Sequence, residues 1–167
     1  MNVTTPQATR RLSRFPEELV ASDTFLIKRL GFLAKEQAMA AYESTGLGPY
    51  HHAVLIAIDE SDHETQGAIA DALGYDRGHL VGLLDELEER GLAERKRDPN
   101  DRRRHIVRLT PAGKRELERL RTLARRIESE FLAPLDEASR RQLHALLLQL
   151  AEHHLNGRSA PVPPPAK

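Results

Sequence analysis

The residues best suited to chemistry in this chain are lysines and arginines gathered between positions 90 and 108. Eight basic residues in that stretch stand against three acids, Glu94, Asp98 and Asp101. Such a density of positive charge suits the phosphate backbone of nucleic acid. The whole chain of 167 residues has no formal net charge, with 25 basic and 25 acidic residues. The position of the charge is therefore more informative than its total.

Two helices are predicted immediately before the hairpin that carries most of this charge. Thr65 is a good N-cap for the first helix, because its hydroxyl can accept a hydrogen bond from a free backbone N–H. Gly74 ends that helix, since glycine adopts the left-handed conformation at low cost. Asp76 begins the second helix, and Gly91 closes it. Apolar residues at helical spacing predict a buried face on both helices, formed by Ile69, Ala70 and Leu73 in the first and by Leu80, Leu83, Leu84 and Leu87 in the second.

A β-hairpin is predicted after the second helix. Ala93–Arg97 and His105–Leu109 are short strand-like runs, and Asp98-Pro99-Asn100-Asp101 between them has turn chemistry. A helix-turn-helix followed by a basic hairpin is a winged helix, a shape suited to duplex DNA. The second, or recognition, helix would enter the major groove. The hairpin, or wing, would lie along the backbone or the minor groove.

Three segments of this region carry recognisable motifs, namely Ile69–Gly74, Leu84–Arg95, and the pattern Asp101-x-Arg103-x5-Leu109-Thr110 followed by Pro111-Ala112-Gly113. These motifs resemble those of the MarR family of bacterial transcription regulators. The last spacing is the specific part, and the resemblance extends over roughly Asp23 to Leu155. It implies that Arg103 or a neighbour probes the minor groove, with Asp101 holding it in place.

The predicted DNA-contacting residues lie at the start of the first helix, on the recognition helix and in the wing. They are Thr65, Gln66, Arg77, Gly78, His79, Gly82, Arg95, Lys96, Arg97, Asp101, Arg102, Arg103 and Arg104. Arg77 can make a bidentate contact to guanine, although a plain phosphate contact is an equally good interpretation. His79 is open to a second interpretation, as a residue of the groove wall only.

The recognition helix departs from the family pattern in its charge. Its solvent stripe holds Gly78, Gly82, Asp85, Glu86 and Glu89, at or beside positions where family members often carry hydroxyl or basic residues. Glycines let a helix approach DNA closely, and a carboxylate can accept from a cytosine amino group. The acids would equally repel phosphate, and the wing would then supply more of the affinity. Relaxed specificity and a relative that has lost DNA recognition both stay open as alternatives.

A small-molecule site is implied by the resemblance alone. Family members often bind small aromatic acids between the dimer helices and the DNA-binding lobe, which makes Phe32, Tyr50, His51 and His52 candidates. Ordinary packing or surface roles are at least as good an interpretation of each. Adjacent residues on a helix point about 100° apart, so His51 and His52 do not chelate a metal as i and i+4 residues would. We predict no metal site and keep a metal-responsive regulator as an alternative.

The composition argues against several other classes of protein. The chain has no cysteine, which excludes disulfides and thiolate chemistry, and it lacks the usual nucleophile, phosphate-loop and zinc-protease motifs. We therefore expect neither enzyme activity nor a cofactor. The sequence has no secretory signal and no apolar run of about 18 residues. We accordingly expect a cytoplasmic protein with no membrane partner.

The predicted fold is mainly α-helical with a small β-hairpin wing, a winged helix-turn-helix with long N- and C-terminal dimerisation helices. Its predicted parts are a flexible arm over 1–15, a helical dimerisation region over 16–46 and 111–155, a DNA-binding lobe over 47–110 and a disordered tail over 156–167. The long helices carry more apolar surface than one small lobe can cover, which predicts a two-fold homodimer. Two recognition helices would then meet successive major grooves of a pseudo-palindromic site. The predicted function is that of a repressor released by a small ligand.

Overall fold

The described part of the chain is mainly α-helical and contains a two-stranded antiparallel sheet, as the sequence predicted. The computed structural model describes residues 14–60, 65–97 and 105–155. Most of the predicted arm, the predicted tail and the tip of the hairpin lie outside these residues. The elements in chain order are α1 (Glu17–Val20), α2 (Asp23–Glu43), α3 (Pro49–Glu60), α4 (Gln66–Leu73), α5 (Arg77–Glu89), β1 (Ala93–Arg97), β2 (His105–Leu109), α6 (Pro111–Phe131) and α7 (Glu137–Leu155).

The chain divides into two compact units, residues 1–40 and 41–167. In the first unit the ring of Phe15 packs edge-on against Phe25, with centroids 5.5 Å apart, and the Arg29 guanidinium lies 5.4 Å from the Phe15 centroid. Pro16 is the N-cap of α1, one position before the first helical residue. Several large apolar side chains of α2 are exposed, namely Ile27, Leu30, Phe32, Leu33 and Met39.

The second unit is built around the leucine stripe of α5. Its four leucines, 80, 83, 84 and 87, are all buried, as their helical spacing predicted. They belong to one apolar cluster with residues of α3, α4, the hairpin and the start of α6. Burying a large apolar side chain contributes roughly 1.5–3 kcal/mol. The other completely buried large side chains of this cluster are Val54, Leu55, Ile69, Val107, Leu117 and Leu120.

The ends of α4 and α5 follow the predicted capping. The Thr65 hydroxyl accepts a hydrogen bond from the Ala68 N–H at 3.3 Å. Gly74 has a φ of 64°, the left-handed conformation that ends α4 and begins the tight turn. Asp76 is the N-cap of α5, and Gly91, with a φ of 67°, follows its last turn. The helix-turn-helix therefore has the boundaries that its capping residues predicted.

The hairpin pairs in a simple antiparallel register. Ala93 lies opposite Leu109 at its base, and Arg97 lies opposite His105 at the far end of the described strands. The strand boundaries are those predicted from the sequence. Thr65 forms an isolated antiparallel bridge with Ile106. The residue that caps α4 therefore also attaches the helix-turn-helix to the wing.

The start of α6 is held tightly against the base of the hairpin. Thr110 caps α6 by accepting from the Gly113 N–H at 3.0 Å, and its hydroxyl donates to the Gly91 carbonyl at 2.6 Å. A Cβ on Gly113 would lie only 1.9 Å from the backbone oxygen of Leu92. The close approach of helix and hairpin therefore requires glycine at this position.

Helix α7 leaves a large apolar surface uncovered in the single chain. It has no buried residue, and four of its leucines, 146, 147, 148 and 150, are each about half exposed. Because consecutive helical residues point about 100° apart, Leu146 to Leu148 cover most of the helix circumference. An exposed apolar surface of this kind marks an interaction site. In the described part of the chain, no helix combines the length and apolar character needed to cross a membrane.

We predict that Gly113→Ala destabilises the protein by about 2–3 kcal/mol, because the added methyl group collides with backbone that cannot easily move. The measurement is the urea midpoint at fixed protein concentration. Gly82→Ala is the matched control, because nothing lies within 4 Å of a Cβ added there. We expect it to stabilise α5 by roughly 0.5–1 kcal/mol. Equal midpoints for the two variants would contradict the proposed contact at Gly113.

Candidate nucleic-acid interface

The outward face of α5 is defined by the burial of its leucine stripe. Because the leucines face the core, Arg77, Gly78 and Gly82 are exposed together with Glu86 and Glu89. Gly82 presents bare helix backbone, since in the described part of the chain no side chain or backbone outside its own stretch of helix lies within 4 Å of the space its Cβ would occupy. The outward face thus combines one cation, two glycines and exposed acids.

The first turn of α5 is already occupied by its own cap. One carboxylate oxygen of Asp76 accepts from the Gly78 N–H at 2.8 Å and from the His79 N–H at 3.2 Å. Both donors are therefore satisfied within the protein. A phosphate approaching this end would meet the exposed Arg77 side chain beside a carboxylate.

His79 belongs to an aromatic cluster on one flank of α5. Its ring lies 5.6 Å from those of Tyr50 and Tyr75, and the two tyrosines are 5.8 Å apart, all edge-on. Burial raises the pKa of Tyr75, with a further increase from Tyr50. These contacts pack His79 against α3 and against the turn before α5, and its contact with DNA stays a prediction.

Arg95 joins the wing to the opposite flank of α5. Its backbone N–H donates to Glu88 at 2.6 Å, its Nε donates to Glu88 at 2.7 Å, and its terminal nitrogen also bonds Asp85. Hydrogen bonding to Glu88 is the main cause that raises the pKa of this guanidinium. The charge of Arg95 is thus engaged within the protein, although the sequence had suggested a DNA contact.

The remaining predicted contacts are placed in two ways. Lys96 and Arg97 are exposed on β1, and the Lys96 ammonium lies 2.6 Å from a Glu94 carboxylate oxygen. The other predicted wing contacts lie outside the described residues, namely Asp101, Arg102, Arg103 and Arg104. Thr65 is used as a cap. Gln66 is half-buried, and its side-chain nitrogen finds no hydrogen-bond partner among the described residues.

Comparisons with known proteins identify the family. Residues 45–104 match the family model described as MarR family. A protein of Thauera aromatica, described as a transcriptional regulatory protein for the hcr operon, is 33% identical over 129 residues, covering 72% of this chain and 78% of the relative. The chain belongs to the MarR family. Its winged helix is therefore that of a transcriptional regulator.

Solved MarR-like structures share the fold over most of the chain. The transcriptional repressor CouR bound to a 23-mer DNA duplex is similar at a TM-score of 0.74 and 34% identity, covering 80% of this chain and 95% of that one. CouR from Rhodococcus jostii RHA1 bound to p-coumaroyl-CoA has a TM-score of 0.68 and 29% identity, with coverage of 80% and 94%. These neighbours bind DNA in one case and an acyl-CoA ligand in the other.

The pocket candidates of this MarR-family chain have different surroundings. Phe32 is 54% exposed in the first unit. Tyr50 belongs to the aromatic cluster of the second unit. His51 accepts from the Gly48 N–H through Nδ1 at 3.0 Å and bonds a Glu86 oxygen through Nε2 at 3.0 Å. Within the described residues, no group of three or more His, Cys, Asp or Glu is arranged to hold a metal ion.

His52 points away from its neighbour and into the core. It is 7% exposed, and its Nδ1 lies 2.6 Å from the Tyr42 hydroxyl. Its Nε2 is buried with no hydrogen-bond partner among the described residues. Burial, and then the nearby charge of Arg121, lower the pKa of His52. Sequence analysis missed Tyr42, because a contact across the turn between two helices leaves no periodic signal.

We predict that the MarR-family fold loses stability as the pH falls below neutral. Burial lowers the pKa of both His51 and His52 below the ordinary value of 6.5. The unfolded chain therefore takes up protons before the folded one as the pH falls through 6.5, which favours unfolding. The free energy of unfolding should decrease from about pH 7.5 to about pH 5.

Urea titrations at several pH values measure this decrease in the free energy of unfolding and test its assignment to His52. His52→Gln should show a smaller decrease across this pH range than the parent protein. The matched control, His105→Gln, changes an exposed imidazole on β2 and should keep the parent's decrease. An equal pH dependence in the parent and in His52→Gln would show that this histidine does not contribute.

Proposed function

We propose that this regulator is a homodimeric repressor that binds a pseudo-palindromic duplex through α5 and the wing. The observation that carries the proposal is the placement of an exposed α5 face beside a basic hairpin in one unit. The similarity to CouR bound to a DNA duplex supports it. In a two-fold dimer the two α5 helices would meet major grooves about 34 Å apart. The protein would act in the cytoplasm as a binding protein, without enzyme activity.

The uncovered apolar surface of the long helices supports dimerisation. The exposed leucines of α7 and the exposed apolar side chains of α2 would be a liability in a free monomer. A second copy of the chain would cover these surfaces by the same contacts on both sides, since a two-fold interface is self-complementary. The dimer would also set the distance between the two α5 helices.

We propose a small-molecule effector for this repressor. The similarity to CouR bound to p-coumaroyl-CoA supports an aromatic acid or its thioester as the class of ligand. Phe32, Tyr50, His51 and His52 stay predicted contacts. A ligand that binds one spacing of the α5 helices better than the other shifts the population towards that spacing. Coupling of about 1–3 kcal/mol is enough for regulation.

The decisive experiment is selection from a pool of random duplexes at about 50 mM and about 200 mM salt. We expect an inverted repeat whose half-sites lie about one helical turn apart. Recovery of duplexes without a shared motif, lost at the higher salt, would indicate a non-specific binder driven by the wing. Absence of binding at both salts would favour a ligand-binding relative without DNA recognition, the second candidate suggested by the acids of α5.

Two substitutions separate phosphate contacts from base contacts on the recovered operator. Arg103→Ala should weaken binding to all sequences and reduce the salt slope by roughly one unit, because the wing loses one cation that lies close to the phosphates of the minor groove. Arg77→Ala should instead relax the preference at one position of each half-site, by about 1–3 kcal/mol. Competition binding against single-position operator variants measures the base preference, and binding constants at several salt concentrations give the salt slope. A uniform loss of affinity in Arg77→Ala would contradict its role in base recognition.

A further inference from the structure

The recognition helix carries four acids in its last turns, which is a cost for any helix that approaches phosphate. Asp85, Glu86, Glu88 and Glu89 all lie within five residues of one another. Three of them are engaged by a side chain from another element. Arg95 of the wing binds Asp85 and Glu88, and His51 of α3 binds Glu86. His51 and Arg95 thus approach α5 from opposite sides.

The contact between His51 and Glu86 has a defined hydrogen-bond direction. The Gly48 N–H donates to Nδ1 of His51 at 3.0 Å, so Nδ1 must be an acceptor. In the neutral ring the proton then resides on Nε2, which donates to the Glu86 carboxylate at 3.0 Å. One backbone contact thus fixes both the orientation of the imidazole and the proton that it presents.

The side chains of His51 and Glu86 differ in how much of their surface is exposed to solvent. The His51 side chain is only 12% exposed, whereas that of Glu86 is 55% exposed. If its donor were removed, a carboxylate on such an exposed side chain would be free to turn away from α3, on the outward face that it already shares with Gly82. The imidazole is held in the first turn of α3, where it also restrains that carboxylate.

We propose that His51 is a positioning residue for DNA binding, which holds the Glu86 carboxylate against α3 and away from the phosphates. The inference rests on the proposed function and explains how an acidic recognition helix approaches DNA. Arg95 does the same on the other flank, where it holds Asp85 and Glu88. His51 need not contact DNA or effector for this role, because it acts through Glu86.

A double-mutant cycle with His51→Ala and Glu86→Gln tests the proposal. The probe is the labelled duplex recovered by selection with the parent protein, at about 50 mM salt. His51→Ala should weaken binding about fivefold per half-site, the effect of one unit charge brought about 4 Å from a phosphate in water. In the Glu86→Gln background the same substitution should have almost no effect, since no charge is left to restrain.

The cycle separates positioning from a merely structural role of His51. If His51 only supported the start of α3, its substitution would weaken binding equally in both backgrounds, and that result would overturn the proposal. Glu89→Gln provides the matched control, because Glu89 is an exposed acid of the same helix. His51→Ala should still weaken binding about fivefold per half-site in that background, because the freed Glu86 charge is unchanged.

Measurements on the parent protein distinguish the two levels of inference. A parent that binds no duplex would overturn the proposed function and this inference with it. A parent that binds its operator, but whose two substitutions act independently, would overturn only the role of His51. Thermal midpoints of all variants show whether a loss of affinity reflects unfolding. A loss of binding by His51→Ala that Glu86→Gln restores, with the same midpoint in both, supports the proposal.

Discussion

Burial of the α5 leucine stripe is the constraint on which the rest of this structure depends. Burying one face fixes the orientation of a helix about its own axis. The core therefore decides which residues of α5 face outward and which lie on the flanks. Leu80, Leu84 and Leu87 are almost completely buried. Their burial exposes Gly82 and turns His79 towards the tyrosines of the aromatic cluster. Packing energy in the core thereby sets the surface that is proposed to meet DNA.

Polar contacts then hold the helix from both sides. On one flank, His51 of α3 bonds Glu86, and the aromatic cluster packs α3 against α5. On the other flank, Arg95 of the wing bonds Glu88. Surface ion pairs usually contribute little to stability. Here their geometry matters because it fixes where the charged side chains of α5 lie. Arg95 offsets the charge of Asp85 and Glu88, whereas the neutral His51 restrains the Glu86 carboxylate by a hydrogen bond.

The second unit combines these contacts with a rigid base for the wing. Gly113 lets α6 start directly against the Leu92 carbonyl. The Thr110 hydroxyl donates to the Gly91 carbonyl at the base of the hairpin and accepts from the Gly113 N–H in α6. The wing therefore has little freedom at its base, where Arg95 reaches α5. The exposed leucines of α7 extend from the same unit. A dimer formed there would carry two wings and two recognition helices on a common support.

The sequence by itself indicated the family and determined the boundaries of the helix-turn-helix and of the wing strands. Capping residues such as Thr65 and Asp76 act within one turn, and the leucine spacing of α5 is a local period, so both can be inferred without a fold. The wing strands also matched the prediction, because turn residues and strand-forming runs alternate there. The roles of Asp101 and Arg103 stay predictions, because these residues lie outside the described part.

Only the tertiary structure decided which charged side chains are engaged within the protein. Arg95 was predicted as a DNA contact and His51 as a ligand contact, and the fold also pairs them with Glu88 and Glu86. Such pairs join residues from different elements, and their distances depend on how helices and hairpin pack. Composition and periodicity carry no information about that packing. The contact between Tyr42 and His52 was missed for the same physical reason.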